Sequence, residues 1–278
     1  MRLLKNLLRS PKFVFGASLL LLTLSLALLG PLVFHVDTKT RVGLAFMEPS
    51  SKAWLGTDHL GLDMFSLLIQ GLRSSLYVGL VAGTLATIVG TSVGVYGGYK
   101  GGLIDDVLTV ATNLFLVIPS LIVLILISAS LDEGRSLTLI ALLIGGTTWT
   151  WSARAVRAQS SSIRARDHVA LARINGYGTV GIVTLHILPY LLSYIFMVFI
   201  IQTATGILAE ASISLLGLGP YDSISLGKIL NEAKNNEALT DGAWWAFLPA
   251  MGLITAVVLA LYVLNTSLEG VFNPRLRK

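Results

Sequence analysis

Six long apolar runs, separated by shorter polar stretches, dominate the pattern of this chain. An α-helix needs roughly 20 residues to cross a bilayer. Counted on that scale, the runs predict helices near Phe13–Phe34, Leu76–Tyr96, Val107–Ser130, Leu137–Trp151, Ile182–Ala209 and Trp245–Leu268. The expected fold is all-α, a polytopic membrane protein with about six transmembrane helices. The first run follows Arg2, Lys5, Arg9 and Lys12, as a signal peptide would. Its apolar stretch exceeds the roughly 7–15 residues of a signal core, and Ser25-Leu26-Ala27 lies inside it rather than after it. It reads as an uncleaved helix. In the second run Gly79, Gly83, Gly90, Gly94, Gly97 and Gly98 recur at small-residue spacing, which suits close helix packing in lipid.

Composition agrees with the pattern. Of 278 residues, 54% are hydrophobic and only 13% charged, against about 25% charged in soluble domains. The absence of cysteine excludes disulfides, thiolate metal sites and thiol nucleophiles. The net charge of +5 matters less than its distribution. With the N-terminus inside, Lys100, Arg154, Arg157, Arg164, Arg166, Arg173, Arg275, Arg277 and Lys278 join the N-terminal basic group on one side, and eleven of the fifteen acidic residues fall on the other. The positive-inside rule then places both termini in the cytoplasm. Two outer loops, Val36–Ser75 and Glu210–Trp244, exceed connector length, and such loops usually carry function.

Candidate chemistry is sparse. No GxxxxGK[ST] nucleotide motif, catalytic triad or metal cluster is evident, so the chain is expected to be neither an enzyme nor its own motor. His59 stands alone in sequence and reads as a surface or capping residue, with Thr57 and Asp58 as helix N-caps. Asp58 and Asp63 are candidate partners for Arg73. Phe65, Leu68, Ile69 and Leu72 share a face, as in an interfacial helix. Trp244 and Trp245 suit an interfacial belt. Glu210 ends a long span, where a carboxylate must be hydrated or paired; it is either a translocation-path residue or a helix-end anchor. The polar stretch Arg166-Asp167-His168-Val169-Ala170-Leu171-Ala172-Arg173-Ile174-Asn175-Gly176, followed by His186-Ile187-Leu188-Pro189, lies between apolar runs. It must stay out of hydrocarbon, where each ionised side chain costs roughly 3 kcal/mol or more. A short basic helix at the cytoplasmic face is placed to dock a soluble partner. Val169 and Ala172 share a helix face, with Gly176 one turn beyond, and are expected to sit in that partner's groove.

Several segments in the right order resemble the permease subunits of binding-protein-dependent ABC importers of the dipeptide/oligopeptide/nickel type. They are Gly56-Thr57-Asp58-His59-Leu60-Gly61-Leu62-Asp63, the turn Gly97-Gly98-Tyr99-Lys100-Gly101-Gly102-Leu103-Ile104-Asp105-Asp106, Trp149 to Arg157, His186 to Pro189, and Ile207-Leu208-Ala209-Glu210-Ala211-Ser212-Ile213-Ser214-Leu215-Leu216-Gly217-Leu218-Gly219. The resemblance spans about Trp54 to Pro274. It implies a type I importer permease fold: residues 1–75 as tail, first helix and outer loop, and residues 76–278 as the core, with a coupling loop near 152–181. It also implies ATPase coupling through Arg166, Asp167, Val169, Ala170, Leu171, Ala172, Arg173 and Gly176, and a path or outer gate at Glu210, Ser212 and Ser214. Implied partners are a second homologous permease, two ATP-binding cassette subunits that hold ATP and Mg, an extracytoplasmic solute-binding protein and membrane lipid. No nucleic acid and no cofactor of this chain's own are implied. The location would be a prokaryotic inner membrane, and the solute a peptide or an oligosaccharide. Two departures stand out. Ala170 and Leu171 replace the Glu and first Ala of the family's E-A-A core. Val110 and Asn113 replace an Arg and an Asp, read here as an intrahelical pair lost as a unit. The competing reading is a stand-alone secondary transporter or channel, disfavoured by the scarcity of mid-membrane charge.

Overall fold

The computed structural model describes residues 7–131 and 135–272. The terminal basic residues Arg2, Lys5, Arg275, Arg277 and Lys278, used above for orientation, lie outside them. The helices are α1 (Pro11–Val33), α2 (Met64–Lys100), α3 (Gly102–Val117), α4 (Ser120–Ser130), α5 (Leu137–Arg164), α6 (Asp167–Ile174), α7 (Thr179–Leu215), α8 (Leu226–Asn235) and α9 (Leu248–Phe272). No strand occurs among the described residues; two isolated bridges, Arg41 with Leu62 and Thr57 with Asp63, brace the turn ahead of α2.

Three of the expected spans differ instructively. The second begins at Met64, where the Asp63 carboxylate caps the helix by accepting from the Ser66 N–H at 2.9 Å. The cap is therefore Asp63, while Thr57 and Asp58 hold the preceding turn. The expected interfacial helix is the first two turns of α2, and Leu68, Ile69 and Leu72 are buried because α8, α9 and α1 cover them. The third span is broken: α3 and α4 meet at 72°. Pro119 lacks an N–H and forces Ile118 into an extended conformation, which ends α3. The fourth, α5, continues past Trp151 to Arg164. Among the described residues four helices are long and apolar enough to cross a membrane, and the bent α3–α4 pair makes a fifth candidate. α5 is the expected span outside that count. Its threonines and arginines lower its hydropathy, but it is covered along much of its length by α2.

α2 is the central post, packed against both α5 and α7. Its glycine stripe is what allows this. A Cβ on Gly83 would lie 2.7 Å from the Thr203 backbone nitrogen on α7. One on Gly94 would lie 2.5 Å from the Ala153 carbonyl on α5, and one on Gly98 would lie 2.6 Å from that of Arg157. The connection between α2 and α3 turns on Gly101 at φ +67°, a left-handed conformation that glycine adopts without steric cost. At the Met64 end of the molecule, the turn before α2, the amphipathic α8 and the start of α9 pack together. Trp245 is buried there and donates from Nε1 to the Thr57 carbonyl at 3.2 Å, whereas Trp244 is exposed. Of the two tryptophans only Trp244 has the exposure an interfacial belt requires.

Candidate coupling helix and translocation groove

At the Lys100 end, α5 and α7 project beyond the apolar core and α6 lies between them. Arg166 sits at the N-cap position, Asp167 occupies the first turn, and Arg173 the last, matching the helix dipole at both ends. Gly176, at φ +80°, closes the helix: its own N–H reaches the Arg173 carbonyl at 3.0 Å and that of Tyr177 reaches Ala172 at 3.1 Å. The retained glycine is thus a C-cap.

The helix faces differ from the sequence expectation. Val169 and Ala172 point into the chain's own core, against Val95, Tyr99, Val156, Ile182 and Ile187. They fasten α6 to α2, α5 and α7 and are closed to any partner. Their three-residue spacing puts them on one face, and packing against the foot of α2, α5 and α7 turns that face inward. The opposite side carries Asp167, Ala170, Leu171 and Ile174, with Leu171 59% and Ile174 80% exposed. Arg166, Arg173 and Gly176 are also exposed. The Arg173 guanidinium lies 5.3 Å from the centre of the Tyr99 ring, a second tie to the foot of α2. His168 donates from Nε2 to the His186 carbonyl at 3.1 Å, and its ring lies tilted against that of Tyr190 at 4.5 Å. That contact falls on a π-helical turn, Val183–Ile187, which precedes Pro189 and absorbs its missing donor.

Between α5, α7, α9 and the α3–α4 break lies a groove of about 630 Å³. Thr147, Thr148, Ser120, Gln202 and Thr205 line it with hydroxyls and an amide, and Trp151 and Tyr262 supply aromatic faces. No ionisable carboxylate or amine lines it. Gln202 is buried and donates to the Thr148 carbonyl at 2.9 Å and to the Ser152 hydroxyl, so its amide also locks α7 to α5. Below the groove, Arg154 donates to Asn113 at 2.7 Å and Arg157 to Asp105 at 2.7 Å. Asn113 therefore pairs across to α5. That pairing gives the asparagine a use of its own in this chain.

At the other end, Glu210 is completely enclosed. It accepts from Ser75 at 3.1 Å and from Ser214 at 2.6 Å, and Ser75 in turn accepts the Leu226 N–H at 3.1 Å. One carboxyl group so ties α2, α7 and the start of α8. Glu210 and Ser214 come together, while Ser212 is exposed on another face and bonds its own helix at Leu208. Arg73 is exposed, and among the described residues the ion pairs are Asp58 with His59 and Asp105 with Arg157, so neither Asp58 nor Asp63 pairs with Arg73.

An all-α membrane core, a short helix held at one end with an exposed apolar side, and a groove carrying hydroxyls, an amide and aromatic rings fit a transport subunit. Residues 90–278 match the family described as "Binding-protein-dependent transport system inner membrane component". The chain belongs to that family: it is a membrane-spanning permease subunit of a binding-protein-dependent importer. Its relatives include the "Oligopeptide transport system permease protein OppC" of Mycobacterium tuberculosis, 31% identical over 88% of this chain and 84% of that protein. The "Dipeptide transport system permease protein DppC" of Bacillus subtilis is also 31% identical, over 95% of this chain and 82% of its own length. So is the OppC of Bacillus subtilis, over 95% and 85%.

Proposed function

We propose that this chain forms half of the translocation path of a peptide importer, with a second permease as the other half and two separate ATPase subunits docked at the Lys100 end. The Lys100 end is cytoplasmic, as are both termini, and the Met64 end receives the solute-binding protein. The observation that carries the docking is the division of α6. One face is fastened inside the chain by Val169 and Ala172, and the other presents Leu171 and Ile174 to solvent. Exposed aliphatic side chains on a rigidly held helix are what a partner's groove would bury. Arg166, Asp167, Ala170, Arg173 and Gly176 surround them. With alanine at 170, the contact relies on apolar burial rather than on an ion pair.

Peptide is favoured over oligosaccharide by the relatives' names and by the lining of the groove. Hydroxyls and an amide offer donors and acceptors to a peptide backbone without selecting a side-chain charge. Glu210 and Ser214 act as an anchor for α8 at the outer end, and Ser212 is free to face the path. ATP and Mg belong to the partners.

Ile174→Arg tests the docking in the assembled transporter. Burying a guanidinium without a partner costs several kcal/mol, so ATPase subunits should be lost or ATP hydrolysis should no longer follow transport. Unchanged assembly and unchanged coupling would refute it. Ala172→Trp is the wrong probe, because it disrupts this chain's own packing.

A further inference from the structure

His59 looked solitary along the chain. The fold ends that isolation by laying α8 across the turn before α2, which brings Glu232 to Asp58 and His59. One donor atom from each, an imidazole nitrogen and two carboxylate oxygens, lies within 4.8 Å of the other two. The His59 Nδ1 and Asp58 Oδ2 are 3.7 Å apart, too long for a hydrogen bond.

The pieces are prepared unequally. The Asp58 side chain is only 9% exposed. Its Oδ1 accepts from the N–H groups of Leu60 at 2.9 Å and Leu62 at 2.8 Å, which fixes the carboxylate plane. Its Oδ2 takes no hydrogen bond among the described residues and points at His59 and Glu232. The Glu232 carboxylate likewise receives none, and a cavity of about 10 Å³ lies among the three groups, walled by Phe46, Met64 and Ile229. That is about the room of one small ion or water. Two carboxylates and one imidazole converge here, while the nearby Lys228 ammonium is turned to the Tyr221 and Ser223 carbonyls.

We propose that Asp58, His59 and Glu232 form a binding site for one divalent transition-metal ion, which clamps the turn ahead of α2 to α8. The donor set of one nitrogen and two carboxylate oxygens suits zinc, whose bonds of about 2.1 Å put tetrahedral donors about 3.4 Å apart. The 3.7 Å between His59 and Asp58 is already close to that, and Glu232 needs less than a helical residue's reach to complete it. The backbone donors on Asp58 Oδ1 are the outer-shell contacts that hold a ligand in place. Three protein ligands leave a fourth position for water. Mg and Ca are disfavoured, because both want a larger shell made of oxygen alone. The site requires nothing of the transport reading, since all three donors lie within this chain.

The test uses the assembled transporter, stripped with a chelator and dialysed against micromolar zinc, with metal counted by elemental analysis. The wild type should retain one zinc per copy of this chain more than His59→Gln or Glu232→Gln, each weakened by about tenfold or more. Glu48→Gln, an exposed acid elsewhere on the same side, should match the wild type. Zinc should also raise the melting temperature of the wild type and leave that of the Gln variants unmoved. If a Gln variant does not assemble, the pair His59→Cys with Glu232→Cys decides, because thiolates at the same two points should hold zinc more tightly. Equal retention by wild type and Gln variants, or a Cys pair that binds no more zinc than the Cys-free chain, would overturn the proposal, leaving a plain His59–carboxylate contact.

Discussion

The glycine stripe of α2 yields the sharpest expectation. Gly94→Ala places a Cβ 2.5 Å from the Ala153 carbonyl oxygen and 2.9 Å from the Arg157 nitrogen. Both are backbone atoms of α5 and cannot rotate away. Ordinary contact begins at 3.4 Å, so the helices must part by about 0.9 Å along that vector. Overfilling of this kind costs about 1–3 kcal/mol. Alanine also favours a helix over glycine by about 1 kcal/mol, which partly hides the cost. Gly146→Ala and Gly252→Ala carry the same helical gain with nothing within 4 Å of the new Cβ. The difference between Gly94→Ala and either control therefore isolates the steric part, about 5- to 150-fold in the folded-to-unfolded ratio. Denaturation of the purified transporter with increasing SDS, followed by tryptophan fluorescence, would measure it. If Gly94→Ala resists SDS as well as the two controls, α2 and α5 do not pack at the distance described.

Ser75→Ala removes a donor to the buried Glu210 and the acceptor of the Leu226 N–H, a loss of about 1–3 kcal/mol. A cysteine introduced at the buried position Ile229 should then label faster, with Glu210→Gln showing a smaller effect because its amide keeps a hydrogen-bonding oxygen; unchanged labelling would remove the anchoring role. Near α1, hydrogen bonds from the Thr40 side chain and the N–H groups of Lys39 and Thr40 lower the Asp37 carboxyl to about 2. A depressed folded value stabilises the turn above the ordinary carboxylate range of about 3.9 and is lost as pH falls toward 2. A spin label at Val42→Cys should therefore gain mobility over that window, and should be equally mobile at both ends of it in Asp37→Ala.

Hydropathy alone revealed the helical class, because spans of about 20 apolar residues have few other uses. What it could not reveal was geometric. Ile118-Pro119 was visible as a pair, yet whether a proline kinks a span or splits it depends on what faces the break, here a groove lined by Thr147 and Gln202 from other helices. The length of α5 was hidden because its polar end owes its order to α2 and not to lipid. On α6 the three-residue spacing of Val169 and Ala172 was read correctly as one face, but periodicity cannot say which way a face turns. Ile174, two positions beyond Ala172, is the residue that spacing should have suggested for the outward side. Glu232 lies far from His59 in sequence, so no local pattern could join them, and the solitary reading of His59 followed from looking only nearby.

α2 runs 37 residues without a break, about 55 Å at 1.5 Å per residue. Its foot is gripped through Tyr99 by Arg173, and through Val95 by the same cluster that holds Val169. Its head is gripped at Ser75 by Glu210 and α8. At Gly83, Gly94 and Gly98 its flanks meet α7 and α5 within backbone contact. Under the proposed docking, a push on α6 is expected to travel to α8 along this post, as a tilt of the three-helix body. The α3–α4 elbow at Pro119 meets α5 differently, through the Arg154 and Arg157 hydrogen bonds, the Phe115–Trp149 rings and the buried Leu124, so this wall of the groove is tied to the post by side chains where α5 and α7 are tied by close backbone approach.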